Sequence, residues 1–206
     1  MKRTNFNHYK LIGKLFKYPT CNLQDTLVNF RGIMIYYPEG RKYIDAFKDH
    51  VTQNHPDQLK EYYIKTFDVQ ALCYLDVGYV LFGEDYKRGE FLVSLKEEYR
   101  KAGLCWGDEL PDHLPNLLLL LSECEDDAFV EEFSYTLLIP AIREMIRNFH
   151  SKTNVYKGLL ELLLLILEED FQDAPYEQYE IRTGVKSDFL DCIGCSWNKS
   201  KKNIKA

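Results

Sequence analysis

The sequence predicts an all-α protein, a single-domain multi-helix bundle, and three observations carry that reading. Apolar residues recur at helical spacing almost throughout the chain as far as about residue 172. No stretch shows sustained two-residue alternation bounded by hairpin turns. The longest apolar run, LLELLLLILEED from Leu159 to Asp170, is interrupted by Glu161 and ends in acids. It falls short of the ~20 residues a membrane span needs, so it reads as a buried helix and no stable membrane insertion is expected.

The elements follow in order. The first helix is expected from Tyr9 to Lys17 and the second from Leu23 to Tyr36. Each is stopped by a Tyr-Pro step, because proline pushes the residue before it out of the helical region. A third runs from Tyr43 to Thr52. In DQLKEYYIKTF the positions Leu59, Tyr62, Tyr63 and Phe67 share one face, as do Phe91, Leu92, Leu95 and Tyr99 in EFLVSLKEEY, with Gly103 as a plausible stop. From Phe129 to Phe149 the apolar stripe changes face around Pro140, which predicts a kink there. The last helix spans Tyr156 to Glu169. Residues 1–172 therefore form the helical domain, and residues 173–206 lose periodicity, end in a small basic tract and read as a loosely attached tail.

Bulk properties exclude several functions. A net charge of −6 argues against a general grip on nucleic acid or an anionic membrane surface. The N-terminal MKRTNFNHYKLIGKLF has no uninterrupted apolar core or small-residue cleavage site, so it does not read as a secretory signal and a cytoplasmic location is expected. The six cysteines then read as free thiols. Cys192 and Cys195 have the spacing of half a zinc site, but the second half is missing and no metal site is expected. No GxSxG, GxxxxGK[ST] or HExxH motif is present.

One stretch concentrates polar chemistry: DELPDHLP, residues 108–115. Two readings stand. Asp112 can cap a helix whose buried face begins at Leu114, with Pro111 and Pro115 fixing the approach of the chain. Alternatively Glu109, Asp112 and His113 form a rigid polar rim, whose carboxylates accept hydrogen bonds from a partner's arginines. Acid–base catalysis by the same three residues is a weaker third reading.

Residues 61–123 resemble the nitrate reductase delta-subunit, or NarJ-type, molybdenum-cofactor assembly chaperones. The resemblance rests on YIKTFD at Tyr63 to Asp68, the segment around LCYL, Gly83, the pair Arg88 and Gly89 followed by a helix, the helix end at Tyr99 to Gly103, and ELPDHLP. The N-terminal LIGKLFKYP is similar to the family's opening helix. The resemblance implies an all-helical protein, not itself an enzyme and without a cofactor of its own. It would bind the immature catalytic subunit of a molybdopterin oxidoreductase, often through that subunit's N-terminal segment, until cofactor insertion. The wider group includes members that recognise twin-arginine signal peptides, and its acidic-proline-Asp-His motif matches Glu109, Pro111, Asp112 and His113.

Tyr63, Phe67 and Leu75 flank the matching motif and are candidates for a greasy groove. Arg88 is expected to pair with Asp68 or with the ELPD segment and so fix the site's shape. Gly89 would permit a close approach or an unusual backbone angle. A generic helical interaction module remains the alternative from a different class.

Overall fold

A computed structural model describes residues 6–19, 23–69, 71, 73–149 and 153–181. Their helices are α1 (Asn7–Leu15), α2 (Leu23–Val28), α3 (Phe30–Ile33), α4 (Arg41–Gln53), α5 (Pro56–Phe67), α6 (Val77–Phe82), α7 (Tyr86–Lys101), α8 (Leu114–Glu123), α9 (Asp127–Phe133), α10 (Ile139–Asn148) and α11 (Val155–Asp170). Among the described residues there is no strand, only an isolated antiparallel bridge between Asp76 and His113. No described helix is long and apolar enough to cross a membrane.

Local side-chain caps set the starts of four helices. The Nδ1 of His55 accepts from the N–H of Asp57 at 3.4 Å, while the Gln58 side chain accepts from the His55 N–H at 2.9 Å. Together they form a reciprocal cap on α5 ahead of Pro56. Asp85, Asp126 and Asn154 cap α7, α9 and α11 by accepting from backbone N–H groups at 2.9–3.0 Å. Two leucine-rich helices form the centre. Leu117, Leu118, Leu120 and Leu121 of α8 are fully buried, as are Leu159, Leu160, Leu162 and Leu163 of α11. With Leu114 and Leu167, five fully buried leucines on each helix stabilise by roughly 2 kcal/mol per side chain relative to exposure. α1 lies against α8, with Gly13 so close that an added Cβ would stand 3.2 Å from the Pro115 carbonyl oxygen. α4 and α10 pack on α11, and α6 packs on α7 and α10.

Two expectations change. The helix expected from Leu23 to Tyr36 is broken at Asn29 into α2 and α3. The Asn29 amide donates to the Asp25 carbonyl at 3.2 Å, a local bond that competes with helix continuation. Between α9 and α10 the chain widens into a π-helical turn, Ser134–Leu138, immediately before Pro140. A proline ring crowds the carbonyl four residues back and leaves it without a helical donor. That carbonyl belongs to Thr136, and it accepts instead from the N–H of Tyr179 at 2.9 Å.

This contact also revises the expected tail. Ala174, Tyr179 and Ile181 pack against the core. Arg143 on α10 donates to Gln178 at 2.5 Å and to Glu168 at 2.7 Å. The chain is thus held down to residue 181. Cys192 and Cys195 lie outside the described residues.

Candidate functional site

The site is assembled where the segment leading into α6 meets the segment leading into α8. The N–H of Val77 donates to the Asp112 carbonyl and the N–H of Leu114 to the Leu75 carbonyl, both at 2.9 Å. This pairing sets Asp76 beside His113 and drives the Asp112 side chain inward. Asp112 has no solvent exposure.

The Asp112 carboxylate accepts from Arg88 Nε at 3.1 Å and from the N–H of Gly78 at 3.2 Å. Arg88 Nη2 also donates to Asp76 at 3.2 Å, and His113 Nδ1 lies 3.4 Å from the other Asp76 oxygen. The result is a continuous chain from the interior to the surface: Asp112, Arg88, Asp76, His113. The Arg88 guanidinium also lies 5.6 Å from the Tyr79 ring centre. Burial pushes the Asp112 carboxyl up from its ordinary value, with Arg88 pulling against it. The hydrogen bond with His113, reinforced by Arg88, holds the Asp76 carboxyl below the ordinary range against its own burial.

Asp112 is therefore not the cap of α8. That position is held by His113, which makes no side-chain cap bond. Asp112 instead caps α6 from a distant part of the chain. Nor does it stand on an exposed rim with Glu109 and His113, so the acid–base trio loses its middle member. Arg88 pairs with the ELPD segment and not with Asp68. Gly89 sits inside α7, where an added Cβ would meet nothing within 4 Å, so it serves neither a close approach nor an unusual angle. The close approach belongs to Gly78, which the sequence reading missed: a Cβ there would stand 2.7 Å from the Asp112 carboxylate and 2.9 Å from the Phe91 ring. Gly83 ends α6 with φ +63°.

In front of this ion-paired wall lies a cleft of about 850 Å³. Tyr63, Phe67 and Leu75 form its floor and are themselves almost wholly buried. Tyr63 is anchored by donating to the Phe16 carbonyl at 3.0 Å and packs on Phe67 at 5.0 Å between ring centres. Exposed Tyr18 and Tyr74 add aromatic walls, with Tyr18 edge-on to Tyr63. Trp106 closes another side, stacked edge-on against Tyr99. Gly107, at φ +76°, turns the chain so that Asp108 and Glu109 reach the rim.

Asp68, His113 and Pro115 complete the lining, together with Lys14 of α1 and Lys17 just beyond its end. Asp68, Asp108 and Glu109 have no ion pair among the described residues. Burial, together with the nearby Asp68 and Glu109 charges, pushes the Tyr63 phenol up. Pro111 stays behind the wall, its carbonyl accepting from the Tyr99 hydroxyl at 3.1 Å. Of the residues singled out from sequence, the cleft brings together Tyr63, Phe67, Asp68, Leu75, Glu109, His113 and Pro115. It leaves Pro111, Asp112, Arg88, Gly83 and Gly89 behind or outside its surface. No group of three or more His, Cys, Asp or Glu suited to a metal ion occurs among the described residues.

No protein-family model matches the chain. A probable nitrate reductase molybdenum cofactor assembly chaperone, NarJ, of Bacillus subtilis (strain 168) is 34% identical to it over 114 residues. The match covers 55% of this chain and 61% of the relative, so the chain spans less than two thirds of the relative's length. The cleft residues missed from sequence include Tyr18, Tyr74, Asp76 and Trp106. The only sequence signal for the three aromatic ones was the high aromatic content, 14%, which served equally well as a prediction of core.

Proposed function

We propose that the chain is a non-catalytic assembly chaperone for a molybdopterin oxidoreductase of the nitrate reductase type, binding the immature catalytic subunit in the cytoplasm until the molybdenum cofactor is inserted. The observation that carries the reading is the cleft, whose aromatic floor and walls stand beside three carboxylates, Asp68, Asp108 and Glu109, without ion pairs among the described residues. Such a surface suits an amphipathic segment: its apolar face lies on Tyr18, Tyr63, Phe67 and Tyr74, and its basic side chains meet Asp68, Asp108 and Glu109. The resemblance to the Bacillus chaperone supplies the class of client. A twin-arginine segment would place guanidinium groups against Asp108 and Glu109 in the forked geometry they favour.

The mechanism is linkage. A partner with higher affinity for the apo conformer than for the loaded one shifts the population toward the apo conformer, and cofactor insertion reverses that preference and releases it. No covalent step is required of the chain.

Co-expression tests this directly: the oxidoreductase catalytic subunit is purified with and without the chain, and complex formation and bound molybdenum are measured. The reading expects a complex with the apo subunit and a marked fall in molybdenum content without the chain. Equal loading in both preparations would sink it. Neutralising the basic side chains of the subunit's N-terminal segment, with the chain itself unchanged, should weaken the complex about tenfold, equivalent to about 1.4 kcal/mol.

A further inference from the structure

We propose that the cleft has an internal competitor, the chain's own residues 182–206, which dock in it until a client displaces them; this inference rests on the client-binding reading above. The described residues end at Ile181, close to the cleft's supporting wall. The Tyr179 ring lies 5.7 Å from that of Phe82, the last residue of α6, and the opposite end of α6 follows directly from Asp76 in the cleft lining. A six-residue helix is ~9 Å long, whereas the 25 residues after Ile181 can extend to at most ~80–90 Å. Reach is not limiting.

The chemistry of that segment matches the cleft. It carries six basic residues against two acidic ones, with four of its lysines, at positions 199, 201, 202 and 205, clustered after the apolar Phe189, Leu190, Ile193 and Trp197. The cleft presents the complementary pair of features: the carboxylates of Asp68, Asp108 and Glu109, and exposed rings of Tyr18 and Tyr74. Lys14 and Lys17 in the lining oppose the attraction but are outnumbered by these three carboxylates. A tethered segment acts at an effective concentration on the order of 1 mM. A binding constant of about 0.1 mM is then enough to weaken a client's apparent affinity about tenfold. The segment thus acts as a threshold, excluding weak basic peptides while a matched client still binds.

Zero-length carbodiimide crosslinking of the full chain tests occupancy, read by mass spectrometry on an equal mixture of isotope-labelled and unlabelled protein. The expected result is links from the lysine cluster to Asp68, Asp108 or Glu109 within one isotope, greatly reduced in the full chain carrying Asp108→Asn and Glu109→Gln. Links that join the two isotopes would assign the cleft to a second copy, and no link from those lysines to the cleft would leave it without this occupant; either overturns the proposal. In a second measurement, the full chain with Glu at all four lysine positions should bind the purified apo catalytic subunit about tenfold more tightly. Equal affinity of the two proteins overturns the competition. If neither binds the subunit, the client reading fails, and the crosslinks alone decide whether the segment occupies the cleft.

Discussion

At the scale of single residues, the site depends on one carboxylate, Asp112, that is buried without exposure and balanced by Arg88 and the Gly78 N–H. Removing one partner of a buried ion pair costs about 3–5 kcal/mol, because the other charge is left uncompensated. Arg88→Met should therefore lose about that much in urea unfolding. The variant should also acquire a pH dependence of known sign. Without Arg88 the Asp112 carboxyl rises further above its unfolded value, so the folded state binds a proton that the unfolded state has already released. The stability of Arg88→Met should then fall as pH rises through the raised folded value. Adding Asp112→Asn should remove that dependence, and a double variant that keeps it would contradict the assignment. Gly78→Ala tests the same point sterically. With a Cβ 2.7 Å from the carboxylate and 2.9 Å from Phe91, overpacking should cost about 1–3 kcal/mol. Gly89→Ala, in an open helical position, should instead be neutral or slightly stabilising by up to ~1 kcal/mol.

At the scale of elements, the π-helical turn before Pro140 and the strap at residues 174–181 form one unit. The Thr136 carbonyl released by the proline is satisfied by Tyr179, so the amide of Tyr179 should exchange with solvent far more slowly than an unprotected amide. In hydrogen exchange its protection should fall together with that of α10. An amide at 179 that exchanges at the free rate would show that the strap is not bound in solution. Sequence periodicity disclosed the elements that bury a regular stripe, such as α5, α7 and α11, because that signal is local. It located the disturbance at Pro140 but not its form, since the donor that rescues Thr136 lies 43 positions further along the chain. The role of Asp112 was hidden for the same reason. Local preference predicts a cap for the helix that follows, whereas the N–H it accepts from is 34 residues upstream. The floor residues Tyr63, Phe67 and Leu75 were legible from their motif, while Trp106 and Asp108 reach the cleft through the turn at Gly107, which no periodic pattern marks.

For the molecule as a whole, acid should loosen both ends of the structure together. Asp76 is held below its ordinary value by His113 and Arg88. Asp170, although burial works against it, is lowered by hydrogen bonds from His8, Tyr37 and Tyr9, which tie α1 and the Tyr37 turn to the end of α11. Both groups have folded values below their unfolded ones, so their stabilisation is present above the ordinary carboxylate range and is lost as pH falls through the folded values. Asp112, shifted upward, acts in the opposite sense. The urea midpoint should therefore fall as pH is lowered from about 6 to about 3, and Asp76→Asn should make that fall shallower. An unchanged slope in the variant would refute the contribution assigned to Asp76. The reach of Asp112 back to Gly78 has a consequence for biosynthesis. Translation at about 5–20 residues per second separates the emergence of these two partners by roughly 2–7 s. Throughout that interval the Gly78 N–H and the Arg88 guanidinium lack their Asp112 partner, and the cleft has no back wall. The first half of the nascent chain cannot complete the cleft alone, and ribosomal pausing between Gly78 and Asp112 would prolong the period in which its aromatic floor is unshielded.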